Sequence, residues 1–370
     1  MTSTDRARMK AVVLRDGAIV VEDHAVPEPG PGQVLVKTRA CGICGSDLHM
    51  MRHGEEMLEL GKRIGQVDDD VTTPPDVLLG HELCGSVVDS RGCKKDWRVG
   101  APVAVYPLLT CSSCKYCRSG NPQICPSRQL ISMHIPGAYC GYLAIDESMA
   151  FDIPEQLLGP AGSLVEPLAT GVQAVKKGCL DAKGNARVKN LVVVGAGPIG
   201  LLTTAYAASG GVERIVAMDL VDSRLDIARR CGATDLICTR GLEVAEVCDR
   251  VSDALGGLAE SVVEAVGLEV TREISCLCVA PLGTIVLVGL HSTDSRMPVN
   301  HLIRNQVDVL NSYAMRFEDF QDAIDTLAAG VPADLDWLSI YPLSEGARAY
   351  AELVESPESI CKVVLRPHMG

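Results

Sequence analysis

The stretch Cys41-Gly-Ile-Cys44-Gly-Ser46-Asp47-Leu-His49 places thiol, hydroxyl, carboxylate and imidazole groups inside nine residues, with glycines that permit a tight backbone path. Gly80-His81-Glu82 adds an imidazole and a carboxylate further on. A zinc ion used in catalysis takes about three protein ligands from Cys, His and Asp or Glu and keeps one position open. Cys44, His81 and a carboxylate meet that requirement. Taken singly, each residue reads as a packed thiol or a surface imidazole. Two matching clusters in one chain, joined by further motifs downstream, favour a metal site.

The most specific signal is Cys111-Ser-Ser-Cys114-Lys-Tyr-Cys117-Arg-Ser-Gly-Asn-Pro-Gln-Ile-Cys125, four thiols within fifteen residues. Two C-x-x-C steps share their middle cysteine, and a Gly/Asn/Pro turn brings in the fourth. Four sulfurs surround one zinc tetrahedrally and leave no open position, so the lobe reads as a structural site. The spacing departs from ferredoxin patterns. Four clustered thiols also fit poorly with a redox pair.

A third signal concerns a nucleotide. Leu191-Val-Val-Val194 is an apolar strand that runs into Gly195-Ala-Gly197-Pro198-Ile199-Gly200 and then an apolar helix. Such a turn aims backbone N–H groups and a helix N-terminus at a pyrophosphate. Asp219 closes the next strand, where an acidic residue accepts from ribose hydroxyls and repels a 2′-phosphate, which favours NAD over NADP. Arg224, five residues on, could contact the same ribose or assist a phosphate. Glu166-Pro167 lies in an otherwise apolar helical stretch, Pro160 to Gly178. A buried carboxylate there needs a cation or hydrogen-bond partner; the alternative is an exposed glutamate at a helix turn.

Composition narrows the partners. The chain has 370 residues, too many for one ordinary core, so two domains are expected. Its net charge is −13 and its aromatic content 4%, which excludes nucleic acid as a partner and argues against a zinc-ribbon module. The 16 cysteines are not spaced as a secreted disulfide scaffold, and the first residues carry no signal segment, so a reduced cytoplasmic compartment is expected. Residues Leu191 to Ala208 are nearly all apolar, but the glycines and proline break them into strand, turn and helix rather than a membrane span.

The elements that must position these groups can be read from the pattern. Short β-like runs (Met9 to Leu14, Ile19 to Asp23, Gln33 to Ala40, Glu82 to Asp89, Pro102 to Tyr106) with Gly/Pro punctuation suggest a barrel-like β domain. Met50 to Pro75 reads as a polar, irregular excursion, with Met50 either lining a pocket or packing. From Lys189 strands and helices alternate, as in a doubly wound parallel sheet. Helices at Phe317 to Gly330 and Ser344 to Glu355 and a strand at Ile360 to Leu365 close the chain.

In this order the motifs resemble those of zinc-containing medium-chain alcohol dehydrogenases, over nearly the whole length. Within that family the chain is most similar to the polyol (sorbitol, idonate) and butanediol dehydrogenases, which carry Glu-Pro where Glu166-Pro167 stands. The resemblance implies an α/β protein: a GroES-like β-barrel catalytic domain at 1–167 with its zinc lobe at 108–126, a Rossmann domain at 168–310, and a return to the catalytic domain at 311–370. It implies one catalytic and one structural zinc. Cys44 and His81 would hold the first, Glu82 or Glu166 would complete the shell, and Asp47 would orient His81. Ser46 would take the alcohol proton and pass it through the nicotinamide ribose to His49. Ile199, Asp219 and Arg224, with backbone near Val288 and Leu290, would hold NAD. Arg316 matches a substrate-contacting arginine, with a solvated helix-start charge as its alternative.

Two departures stand out. Asp96-Trp97-Arg98-Val99-Gly100 replaces the usual approach to the lobe, and Met50 stands where sorbitol-type enzymes often carry an aromatic residue. The expected activity is hydride transfer between a secondary alcohol, diol or polyol and NAD, giving the ketone, by a homodimer or homotetramer. The alternatives are a threonine or glutathione-linked enzyme, a ketone reductase, or a zinc-stabilised binding protein without turnover.

Overall fold

The computed structural model describes residues 7–63, 77–356 and 358–369. In chain order the strands are β1 (Arg8–Arg15), β2 (Ala18–Ala25), β3 (Gln33–Gly42), β4 (Val77–Leu78), β5 (Glu82–Asp89), β6 (Pro102–Val105), β7 (Leu108–Leu109), β8 (Gln129–Leu130), β9 (Tyr142–Asp146), β10 (Ala150–Asp152), β11 (Asn190–Val194), β12 (Arg214–Asp219), β13 (Asp235–Cys238), β14 (Ala259–Glu264), β15 (Val279–Leu287), β16 (Asp308–Asn311), β17 (Leu338–Pro342) and β18 (Lys362–Arg366). The helices are α1 (Gly45–Arg63), α2 (Lys115–Arg118), α3 (Val165–Gly178), α4 (Pro198–Ser209), α5 (Asp222–Arg230), α6 (Val244–Leu255), α7 (Glu269–Cys278), α8 (Val299–Asn305), α9 (Phe317–Ala328) and α10 (Gly346–Glu355).

The chain divides into two compact units, Met1–Glu166 with Leu338–Gly370, and Pro167–Trp337. The first is β-rich. A sheet in the order β10-β6-β5-β3-β18-β17, with β9 also on β3, stands with a smaller β2-β1-β4 sheet. Strand β9 shows the expected alternation: Leu143 and Ile145 are buried and their neighbours are half-buried. They join Val34, Val36, Val103 and Val105 in one core. The last strand, β18, pairs antiparallel with β3, setting Val364 opposite Gly42. The C-terminal strand therefore lies against the strand that leads into Cys44.

The second unit is the doubly wound sheet, β13-β12-β11-β14-β15-β16, with every pairing parallel. Four of the five residues of β11 are buried, because helices cover both faces and the strand needs no polar side. The apolar stretch from Leu191 is thus β11, a turn and α4. Among the described residues, no helix is long and apolar enough to cross a membrane.

Two expectations are corrected. The return to the β-rich unit falls at Leu338 and not at residue 311. Helix α9 stays with the parallel-sheet unit because Asp319 accepts from Lys176 of α3 at 2.9 Å. The segment after it stays because Arg230 of α5 pairs with both Asp334 and Asp336. The stretch expected to be irregular from Met50 is helical through Arg63, with a break in helical geometry at His53; residues 64–76 lie outside the described part.

Candidate active site

Strand β3 ends at Gly42, and the chain turns through Ile43 and Cys44 into α1. Asp47, in the first turn of α1, reaches back so that its Oδ2 accepts from the Cys44 backbone N–H at 3.0 Å. The hydroxyl of Tyr139 lies 2.6 Å from the same oxygen and 2.9 Å from the Gly42 carbonyl. Its one proton goes to the carboxylate, the closer and charged acceptor. The other oxygen of Asp47 is 3.6 Å from His81 Nδ1. Asp47 is 2% and His81 8% exposed. Burial works against the Asp47 carboxylate, yet the His81 charge and the hydrogen bonds from Tyr139 and Cys44 hold its pKa below the usual value. Burial likewise opposes a charged His81, and Asp47 overrides it and raises the imidazole well above its ordinary pKa. Asp47 thereby fixes which ring nitrogen faces away from it, a common second contact of a metal-binding histidine.

Gly80, just before His81, has φ +99°, and a Cβ there would lie 2.6 Å from the Tyr139 ring. The turn that presents His81 therefore needs glycine. Beyond it, β5 begins at the fully buried Glu82. Donor atoms of Cys44, His81 and Glu82 lie within 4.8 Å of one another. Modest side-chain rotation would bring them to one ion at about 2.0–2.3 Å each, and thiolate, imidazole and carboxylate are the donor chemistry that zinc takes. Glu166, half-buried at the start of α3, stands outside that group but within electrostatic reach of His81, Glu82, Lys362 and Asp47; burial and the charge on Glu82 raise its carboxyl to about 7.

Three participants are not evident from the sequence motifs. Tyr139 supports Asp47, and Gly42 leaves room for Glu82, since a Cβ there would stand 2.1 Å from Glu82 Oε2. The third is Lys362 of β18, only 2% exposed, which is ion-paired to Glu82 and donates to the Ile43 carbonyl at 2.9 Å. Its one signal is a lysine inside the apolar run Ile360 to Leu365. Removing one partner of a buried ion pair costs about 3–5 kcal/mol, because the other charge is left uncompensated. Lys362→Met is therefore expected to destabilise the metal-free protein by about that amount and the zinc-loaded protein by less, since a bound cation would compensate Glu82. Urea unfolding with and without chelator checks both halves.

The lobe is closed at its base by β7 and β8, which pair antiparallel. Its sulfurs lie 3.5 Å (Cys114 to Cys117), 3.5 Å (Cys125 to Cys111) and 4.0 Å (Cys111 to Cys117) apart. A tetrahedron with zinc–sulfur bonds of about 2.3 Å has edges of about 3.8 Å. The four thiols already have the size of a zinc cage. Hydrogen bonds from backbone N–H groups, Ser113 first, lower Cys111 to about 6. Burial and neighbouring thiols raise Cys117 to about 12, a conflict that a shared cation removes.

In the parallel-sheet unit, Gly195 has φ +97°, and a Cβ on Gly200 would sit 1.8 Å from the Gly195 carbonyl oxygen. Gly197 caps α4, with Pro198 in its first turn and Ile199 behind it. Asp219 braces this turn: Oδ2 accepts from Ala196 N–H at 2.7 Å and Oδ1 from Val221 N–H at 3.0 Å. Arg224 is half-buried on α5. Val288 and Gly289 donate to the Glu264 carbonyl at 2.9 and 3.1 Å, and Leu290 beyond them is exposed. Turn, brace and neighbouring strand end form a cradle that side chains larger than hydrogen would fill, which suits a dinucleotide phosphate.

On α1, Ser46 is exposed, while His49 is half-buried with its ring 4.9 Å from that of His53. Met50 packs against the β-rich core. Arg316 makes a two-point contact with Asp319, Nε at 2.9 Å and Nη2 at 3.0 Å, and pairs with Glu318 at 2.6 Å. It caps α9 within the parallel-sheet unit.

Comparison with known proteins shows the family of the chain. Residues 30–155 match the alcohol dehydrogenase GroES-like domain, and residues 198–329 match the zinc-binding dehydrogenase domain. Sorbitol dehydrogenase of Bos taurus is 30% identical over 312 residues, 84% of this chain and 82% of its own. Sorbitol dehydrogenase of Bacillus subtilis (strain 168) is 28% identical over the full length of both. A zinc-binding dehydrogenase of Sinorhizobium meliloti 1021, solved with NADP bound, superposes with a TM-score of 0.82 at 28% identity and covers 98% of this chain and 100% of its own. The chain belongs to the zinc-binding medium-chain alcohol dehydrogenase family. It is a zinc-dependent oxidoreductase of that family and uses a nicotinamide cofactor.

Proposed function

We propose that the protein oxidises a secondary alcohol, diol or polyol to the ketone with NAD, within a cytoplasmic homodimer or homotetramer. The observation that carries this reading is the donor group Cys44, His81 and Glu82, with the ionisable Glu166 within electrostatic reach of it. Cys44, His81 and Glu82 hold the catalytic zinc, and the lobe Cys111, Cys114, Cys117 and Cys125 holds a second. When bound, zinc supplies a fixed positive charge that lowers the pKa of a nearby hydroxyl towards neutrality, while the dinucleotide carries the redox step.

This chain's residues do the rest. Asp47 fixes the His81 ring. Ser46 accepts the hydroxyl proton and His49, one turn along α1, releases it to solvent. The glycine turn, Asp219, Arg224, Val288 and Leu290 orient the coenzyme. The test is zinc content by elemental analysis together with nicotinamide absorbance on a panel of diols, polyols, hydroxy acids, threonine and simple secondary alcohols. Two zincs per chain with NADH formed from diols or polyols supports the reading; zinc without turnover on any alcohol overturns it.

Asp219 carries the coenzyme preference. A hydrogen bond to a charged group contributes about 1.5–3 kcal/mol. Asp219→Ser is therefore expected to lower kcat/KM for NAD by about 10- to 150-fold and to narrow the gap to NADP. Steady-state kinetics with both coenzymes checks it.

A further inference from the structure

Sulfur atoms in contact need a reason, and in the lobe the reason is a metal. A second contact has no such explanation. Cys248 Sγ of α6 lies 3.5 Å from Cys278 Sγ at the end of α7. Among the described residues the groups of three or more metal-binding side chains are the lobe and the Cys44 site, and neither includes these two. The pair is also unequal. Cys278 is fully buried in the core of the parallel-sheet unit, whereas Cys248 is half-buried at its margin.

We propose that Cys248 and Cys278 form a dithiol site that a hydroperoxide oxidises to a disulfide tying α6 to α7. A disulfide has sulfurs about 2.0 Å apart, so closing it needs about 1.5 Å of approach. Rotation of a helical side chain and a cysteine at a helix terminus can supply that. The chemistry assigns a role to each sulfur. The Cys278 thiol donates its hydrogen to Cys248 Sγ. That hydrogen bond lowers the pKa of Cys248, while the same bond and burial raise that of Cys278. A half-buried thiol at the margin, in contact with a fully buried one that donates to it, is the arrangement of an attacking and a resolving cysteine.

The Cys248 thiolate attacks one peroxide oxygen. The O–O bond breaks, the other oxygen takes up from solvent the proton that Cys248 had released and leaves as water or alcohol, and Cys248 becomes a sulfenic acid. Cys278 then attacks that sulfur and gives up its proton, and the hydroxyl leaves as water. Two thiols lose two electrons in total and the peroxide gains them, so no further oxidant is needed.

The experiment titrates the zinc-loaded protein with hydrogen peroxide and maps its cysteines by mass spectrometry after alkylation, with zinc content followed in parallel. The expected result is a peptide cross-linked between Cys248 and Cys278, formed with loss of two thiols and two mass units per chain, before zinc is released, and reversed by dithiothreitol. Cys248→Ser removes the cross-link, and Cys278→Ser accumulates a Cys248 sulfenic acid trapped by dimedone. Wild-type mapping decides the matter even if a variant folds poorly. Recovery of Cys248 and Cys278 as free thiols while other cysteines oxidise, or oxidation of Cys248 to sulfinic acid without the cross-link, overturns the proposal.

Discussion

Cys44→Ser is expected to abolish turnover while the fold and the lobe zinc remain. A bound cation contributes several kcal/mol to stabilising charge in a reaction of this kind, and each 1.4 kcal/mol is a factor of ten in rate, so the loss is about a thousandfold or more. The fold survives because Cys44 lies at a loop edge and is only half-buried, and the strand and helix on either side are held by other contacts. The hydrogen bond from its backbone N–H to Asp47 does not depend on the side chain. Elemental analysis should find one zinc per chain fewer than in the wild type, for which two are proposed. Full activity with normal zinc content in Cys44→Ser would remove the assignment.

Cys114→Ser is expected to act through stability. Structural zinc sites bind with about 10–16 kcal/mol of apparent free energy in small peptides, and that binding is folding free energy for a segment without its own core. Between β7 and β8 the lobe has few buried residues besides Cys125 and its neighbours Pro122 and Gln123, and α2 has none. Without the metal, four thiols with opposed pKa shifts remain packed together. A melting temperature several degrees lower with one zinc lost, and activity per remaining folded molecule retained at low temperature, is the expected outcome. An unchanged melting curve would show that the lobe holds itself.

These two substitutions separate what the two cysteine clusters do, and both clusters are legible without coordinates. Ligand type and spacing are local properties. Four thiols within fifteen residues can reach one ion however the rest of the chain folds. The glycine turn is equally local, because positive φ at Gly195 and the close approach at Gly200 are demanded by a few consecutive residues. The same holds for β11, whose continuous burial follows its unbroken apolar run Leu191-Val-Val-Val194.

Features of longer range are not legible in this way. Helix α1 is hard to see in the sequence because helical geometry breaks at His53, beside Gly54, and interrupts the pattern that Leu48, Met50 and Met51 begin. The unit boundary lies later than the motifs imply because the ion pairs that keep α9 and the segment at 334–336 with the parallel sheet join residues more than a hundred positions apart. Asp219 is legible as an acid near a ribose; its brace on Ala196 is not.

What the sequence determined by itself is the inventory: which donors exist, in which local turns, and therefore the class of chemistry. What only tertiary structure decided is how that inventory is neutralised and shared. Lys362 lies 280 positions from Glu82 along the chain, yet β18 pairing with β3 brings its ammonium to that carboxylate. Tyr139 comes from a third segment to hold Asp47. Burial makes these charges expensive unless they are compensated, and compensation comes from whichever strand the sheet places alongside. Spacing in the sequence carries no record of that choice.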